Sequence, residues 1–435
     1  MSLIFRIPLT LVACLVAFVS QSQPLVPLPQ ASYFEPFKVH LAAQSQGLIL
    51  KEGDRLAICG DSITEQKMYS RIMETYLTVC VPELRISVRQ FGWSGERAPG
   101  FQSRMANDVL RFRPTIATTC YGMNDHRYQP FTAEIGAEYE NSSRAIIQAF
   151  KSHGVRVVQG SAGTVGKMPS WVRSAKGNVQ DLNLGLLELR NIDVRLAREE
   201  QVSFADVFLP MLVQGHSAQE KYGASYMITG KDGVHPGWAG QLVMAYSFLK
   251  AFGLEGDLGQ ITIDLKNQTA ETTGRHEVKE VSEGKLTLSS SQYPFCAVGP
   301  LGDDSSMRSG MEWVPFMNDL NRLILKVKNL SAASYRVHWG DFVKTYSKES
   351  LEQGVNIAAD FSENPFSEAF NKVDAAVAAK QSYETRQIKQ IFHGPEGRAD
   401  SEMAAALTEK TREPLARAIR NAFKPVRHTI RLVSE

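Results

Sequence analysis

A chain of 435 residues can hold more than one hydrophobic core, because single domains usually run to about 100–200 residues. With 43% hydrophobic residues, 22% charged residues and a formal net charge of +2, its composition is that of a folded globular protein and excludes a disordered or low-complexity chain. The basic residues do not gather into a patch, which removes the main argument for nucleic-acid binding.

The first 22 residues read as an export signal. Arg6 supplies the positive start, residues 7–19 are mostly apolar, and Ser20-Gln21-Ser22 offers small residues for cleavage. Leu11-Val12-Ala13-Cys14 also fits a lipoprotein cleavage box, but the apolar run continues past Cys14. A secreted or periplasmic protein is therefore expected, with lipid anchoring at Cys14 as the alternative. No later run is long and apolar enough to span a bilayer.

Between about residues 50 and 255 strand and helix patterns alternate. Strand-like runs at 56–59, 84–91, 115–121, 155–159 and 202–207 are separated by helical patterns at 65–79, 101–112, 132–152 and 182–199. Within the last of these, Leu182, Leu186, Leu189, Ile192 and Leu196 recur at the spacing of a helix face. A further helix is predicted at 238–252. This alternation predicts an α/β domain of three layers, a parallel sheet covered by helices on both faces.

Gly253, Gly256 and Gly259 then mark a linker, and residues 260–362 turn to period-two alternation, as in 261–265, 285–289, 323–328 and 335–339. That pattern predicts a small antiparallel β-sandwich. Residues 365–425 return to helical spacing through Phe366, Phe370, Val373 and Val377, followed by a charged helix at 399–423, and so predict a helical pair. Trp313, Trp339 and Tyr335 would suit either a carbohydrate-binding face or the core of the β-region; core is the commoner role. Beyond Cys14 the cysteines are Cys59, Cys80, Cys120 and Cys296, with no zinc-like spacing and no disulfide framework. No metal or cofactor is called for, and nothing in the sequence indicates an oligomeric state.

Four short stretches carry chemistry: Gly60-Asp61-Ser62-Ile63, Ser94-Gly95-Glu96, Gly122-Met123-Asn124-Asp125 and Asp232-Gly233-Val234-His235-Pro236. Each follows an apolar run. In an open parallel sheet the loops beyond the carboxyl ends of the strands line the ligand crevice. A serine, a histidine, a carboxylate and amide donors gathered there are what acyl transfer requires. Taken singly, each stretch has a plainer reading. Asp61 or Ser62 would cap a helix, Asn124 would serve a turn, and His235 before Pro236 would be a surface histidine at a helix start. Their order and company argue for the site.

In these stretches the chain resembles the SGNH hydrolases, or GDSL-type esterases and lipases, over roughly residues 50–255. The resemblance implies a flavodoxin-like sheet of order 2-1-3-4-5. It also implies Ser62 as nucleophile, His235 as base and Asp232 as its orienting acid. The oxyanion hole would comprise the amides of Ser62 and Gly95 and the side chain of Asn124. One departure is Phe91, where many members carry an asparagine that helps hold the second stretch. Residues 351–358 followed by Asn364-Pro365 are similar to C-terminal modules of large exported bacterial GDSL-type proteins.

Trp93, Asp125 and His126 are candidate substrate contacts, although Asp125, His126 and Arg127 would equally organise their loop. The segments 163–176 and 213–230 read as long loops on the crevice side, carrying Trp171, His216, Tyr222 and Tyr226. Together these features lead to an exported serine esterase acting on short acyl esters, acetyl being the implied group, on carbohydrate. A lipolytic or general carboxylesterase, or a non-catalytic glycan-binding protein on the same scaffold, are the alternatives.

Overall fold

The chain is described by a computed structural model over residues 26–43, 47–173 and 176–435. The segment read as an export signal, Cys14 included, lies outside the described residues. Five strands, β1 (Arg55–Gly60), β2 (Ser87–Gln90), β3 (Ile116–Cys120), β4 (Arg156–Gly160) and β5 (Ser203–Ala205), form one parallel sheet. Their order is β2-β1-β3-β4-β5, as the resemblance implied. Side chains on β1 alternate between two cores, because successive residues of a strand point to opposite faces. Leu56 and Ile58 join a core that contains Ile72, Met73 and Phe248. Ala57 and Cys59 join another with Phe101, Ile147 and Phe150. With both faces covered, β1 and β3 carry almost no exposed side chain and no polar alternation.

Several boundaries differ from the sequence reading. Strand β2 starts three residues later than the apolar run, because Pro82–Leu84 forms a tight helical turn and Arg85 takes a left-handed backbone. The segment read as a loop from 213 contains the end of a helix, Phe208–Tyr222, anchored by buried Phe208, Leu209, Met211, Leu212 and Val213. Its polar second half hides the helical period from a sequence reading.

The C-terminal half adds β6 (Asp257–Asp264), β7 (Thr269–Thr272), β8 (His276–Ser282), β9 (Lys285–Ser290), β10 (Arg322–Lys328), β11 (Ser334–Trp339), β12 (Phe342–Ser347), β13 (Val355–Asn356) and β14 (Val426–Ser434). They make a four-stranded sheet, β13-β10-β6-β7, and a five-stranded one, β12-β11-β14-β9-β8. Two expectations are corrected here. Strands β6 and β10 pair in parallel, so the first sheet is mixed. The central strand of the second sheet is β14, which follows the helices and was not read from the sequence.

A chain of neutral hydrogen bonds links the two sheets. Trp339 Nε1 donates to His428 Nδ1 at 3.1 Å, His428 Nε2 meets Ser290 Oγ at 2.9 Å, and Ser290 Oγ meets His276 Nδ1 at 2.7 Å. His276 Nε2 then reaches the Leu258 carbonyl at 2.7 Å. Burial holds His428 down at about 3 and lowers His276 as well. Trp339, Trp313 and Tyr335 are buried, so they form core and not a carbohydrate face.

The helices Ser367–Arg386 and Ser401–Ala422 lie side by side as the expected pair, and they pack onto the edge strand β2. Lys380 Nζ donates to the Val88 carbonyl at 2.6 Å, Arg412 to the same oxygen at 3.1 Å, and Glu384 accepts from the Gln90 N–H at 3.2 Å. Lys380 also bridges Glu74 and Glu384, both at 2.9 Å. An open parallel edge offers unpaired backbone groups; here side chains from the far end of the sequence satisfy them.

Candidate active site

Strand β1 ends at Gly60, and the chain turns at once into a one-turn helix, Ser62–Glu65. Asp61 caps it, its Oδ1 accepting from the Ile63 N–H at 2.9 Å. Ser62 is therefore the first helical residue, where backbone N–H groups lack intrahelical partners. The second stretch lies directly against this helix. A Cβ on Gly92 would fall 2.2 Å from the Glu65 nitrogen, so only glycine fits.

Ser62, His235 and Asp232 form one relay. His235 Nε2 lies 2.8 Å from Ser62 Oγ, and His235 Nδ1 lies 2.7 Å from Asp232 Oδ2. The other oxygen of Asp232 accepts from the N–H groups of Val234 and His235, both at 2.9 Å. Burial alone would raise the Asp232 carboxyl, but these bonds outweigh it and hold it below the usual carboxylate range. A carboxylate fixed in this way keeps the imidazole proton on Nδ1 and leaves Nε2 free to accept.

Gly95 and Asn124 lie within the second and third stretches, in the loops that follow β2 and β3. Gly95 has φ +75°, a left-handed conformation that glycine adopts without strain. Asn124 Nδ2 donates to the Glu96 carbonyl at 3.0 Å, which leaves its second N–H free. Beneath them Glu96 and Arg104 form a two-pronged ion pair with both bonds at 2.7 Å, and Tyr121 donates to Glu96 at 3.0 Å. Arg104 also donates to the Phe91 carbonyl at 2.8 Å. The support that Phe91 cannot give by a side-chain amide is supplied by Arg104, a residue the sequence reading did not single out.

Two of the three candidate substrate contacts are corrected. Asp125 accepts from the N–H groups of Ala98 at 2.8 Å and Gly122 at 2.9 Å, tying the third stretch to the second. His126 Nδ1 donates to the Met123 carbonyl. Both are buried, and burial pushes Asp125 up to about 6 and His126 down to about 4. Asp125 spends both oxygens on the loop's backbone, while His126 anchors the loop through Nδ1 and leaves its buried Nε2 without a hydrogen-bond partner. Trp93 is half-buried, its ring engaged by Arg104 at 5.1 Å, Lys389 at 5.2 Å and His393 at 4.8 Å.

The aromatic residue that opens beside the relay is Trp171. It is 45% exposed, with its ring centroid 5.8 Å from that of His235. Tyr128 meets Trp171 edge-on at 5.9 Å. Arg127 and Tyr128 are consecutive non-glycine residues with left-handed backbone, φ 54° and 50°. Ion pairs from Arg127 to Glu134 and Glu138, at 3.1 and 2.8 Å, accompany that unfavourable geometry. Tyr128 is marked in the sequence only as an aromatic four residues past Asn124.

Burial also pushes the Asp61 carboxyl up to about 7, its bond from Ile63 opposing and Asp125 and Glu96 adding to the rise. A raised acid costs stability as pH climbs from the unfolded value of about 4 to the folded one, and the cost persists above it. Asparagine in its place would keep the cap without the charge. Asp61→Asn should therefore melt at the same temperature as the wild type near pH 4 and several degrees higher at pH 8. Thermal melts across that range test this, and a wild type that stays the more stable protein at pH 8 would contradict it.

Among the described residues, no group of three or more His, Cys, Asp or Glu side chains is arranged to hold a metal ion. The four described cysteines are free and buried. No helix among the described residues is long and apolar enough to cross a membrane.

Residues 58–243 match the sequence model of the GDSL-like Lipase/Acylhydrolase family. Among solved structures the chain is similar to BT4096, a gut microbial diltiazem-metabolizing enzyme. Identity is 22% and the TM-score 0.72, over 90% of this chain and 100% of that one. It is also similar to Axe2, an acetylxylan esterase from Geobacillus stearothermophilus, at 22% identity and TM-score 0.39, over 47% of this chain and 97% of that one. LAE5, an alpha/beta hydrolase enzyme from the metagenome of Lake Arreo, Spain, gives 22% identity and TM-score 0.37, over 48% and 98%. A search of curated protein sequences finds no match.

Proposed function

Because residues 58–243 belong to the GDSL-like lipase/acylhydrolase family, we propose that this chain is an exported serine esterase that removes short acyl groups, chiefly acetyl, from carbohydrates. The observation that carries the reading is the relay of Ser62, His235 and Asp232, joined by bonds of 2.8 and 2.7 Å. In the proposed mechanism His235 Nε2 takes the Ser62 proton as Oγ attacks the ester carbonyl. The tetrahedral oxyanion is met by the N–H groups of Ser62 and Gly95 and by Asn124 Nδ2. Collapse breaks the carbon–oxygen bond to the alcohol, which leaves with the proton from His235. Water, activated by the same nitrogen, then hydrolyses the acyl-serine. Asp232 stabilises the imidazolium formed in each half.

The carbohydrate part rests on two supports, the export signal read at residues 1–22 and the exposed Trp171 ring beside His235, since aromatic rings suit the apolar face of a sugar. The test compares acetate release from acetylated oligosaccharides with hydrolysis of long-chain p-nitrophenyl esters. Preference for acetylated sugars is expected. A clear preference for long acyl chains would replace the carbohydrate reading with a lipolytic one. Equal rates for wild type and Ser62→Ala on every ester would leave a glycan-binding protein on an esterase scaffold.

A further inference from the structure

We propose that Lys389, from the C-terminal helical region, is a positioning residue of this site. It holds Glu65 against the Ser94 amide and so sets the peptide that presents the Gly95 N–H to the oxyanion. The proposal rests on the esterase reading above and adds to it a requirement for residues beyond the family-matched segment.

Lys389 lies in a π-helical stretch, Gln387–Phe392, that continues the helix Ser367–Arg386. Such stretches widen a helix by one residue per turn and recur at functional positions. The preceding helix is clamped to β2 by Lys380 and Glu384, so the stretch is delivered to the carboxyl end of the sheet. There Lys389 Nζ reaches both carboxylate oxygens of Glu65 at 2.8 Å. Glu65 Oε2 in turn accepts from the Ser94 N–H and the Ser94 hydroxyl, both at 2.6 Å. Glu65 ends the short helix that Ser62 begins. One carboxylate thus joins the nucleophile helix, the oxyanion loop and the C-terminal region.

Gly95 needs such a tether. Apart from its chain neighbours, no atom comes within 4 Å of the place its Cβ would take, so no packing on that side fixes this residue. Its left-handed turn is held by the Glu96 N–H to Trp93 carbonyl bond at 3.2 Å and by the double grip on Ser94. Charge-assisted bonds are short and strong when both ions are held in place. With Lys389 removed, the half-buried Glu65 would lose its counter-ion and turn toward water, releasing Ser94. The burial of Glu65 would raise its carboxyl, yet Lys389 and Ser94 keep it lowered.

The experiment measures kcat and KM with p-nitrophenyl acetate for wild type, Lys389→Met, Lys389→Arg, Glu65→Gln and the Glu65→Gln/Lys389→Met double variant. Lys389→Met should lower kcat about 10-fold with KM nearly unchanged, since a misplaced oxyanion donor weakens only the transition state. Lys389→Arg should restore most of the rate. The double variant should be no slower than Glu65→Gln by more than about two-fold, because Lys389 acts through Glu65. Hydrogen exchange read on the peptide containing Ser94 and Gly95 should quicken in Lys389→Met, whatever the turnover. Unchanged kcat and exchange in that variant would overturn the proposal, as would fully additive losses in the double variant. Wild-type turnover that does not depend on Ser62 would instead sink the esterase reading, with exchange still deciding whether Lys389 holds the loop.

Discussion

Ser62→Ala should lower kcat on p-nitrophenyl acetate by about 10⁴- to 10⁶-fold while KM hardly changes, because the bond that Ser62 Oγ makes exists only after attack begins. His235→Ala should cost nearly as much. The two side chains are joined at 2.8 Å, and a serine without its base stays protonated and weakly nucleophilic. The losses should not add. Once either partner is gone the other has no task, so the double variant should be about as slow as each single one. Asp232→Asn should be milder, about 10²- to 10⁴-fold, since the base remains but loses the carboxylate 2.7 Å from Nδ1. Steady-state kinetics on the four variants is the measurement. A Ser62→Ala protein within ten-fold of wild type, or full additivity between Ser62 and His235, would mean that this relay does not carry the reaction.

These residues were legible in the sequence because each belongs to a short local block. Asp232 and His235 are three residues apart in one tight turn, and Ser62 follows its strand within two residues. The order β2-β1-β3 then makes β1 and β3 neighbours, which brings Ser62 and Asn124 to one edge without further information. Lys389 was not legible for the opposite reason, whereas Arg104, only eight positions from Glu96, escapes notice because an arginine on a helix reads as an ordinary surface residue. Lys389 meets Glu65 across 324 positions of sequence, and nothing near either residue announces the other. Tertiary packing alone creates that pair. Asp125 and His126 show the same limit in another form. Residue type made them attractive as ligands, but only the fold shows that both Asp125 oxygens and His126 Nδ1 are turned toward the backbone of Ala98, Gly122 and Met123. Strand β14 was missed because a nine-residue strand after a charged helix gains its place from β9 and β11, which precede it by about a hundred residues or more.

Asn124 carries the second large expectation. Its Nδ2 has two hydrogens, and the Glu96 carbonyl at 3.0 Å accounts for one. That bond orients the amide, so the other hydrogen is presented without a reorganisation cost when the oxyanion forms. Asn124→Ala should therefore reduce kcat by about 10²- to 10³-fold and leave KM close to the wild-type value. Asn124→Asp is the sharper variant because it keeps the shape. It should be slower still than alanine. A carboxylate there would face the Glu96 carbonyl with an acceptor against an acceptor, and it would place negative charge beside the developing oxyanion. If the charge is what hurts, lowering the pH toward the carboxylate range should narrow the gap between the Asp and Ala variants, after each is normalised to the wild-type rate at that pH. Rates for all three proteins from pH 5 to 8 test the argument. An Asn124→Asp enzyme at least as fast as Asn124→Ala across that range would show that Asn124 supports the loop and does not meet the oxyanion.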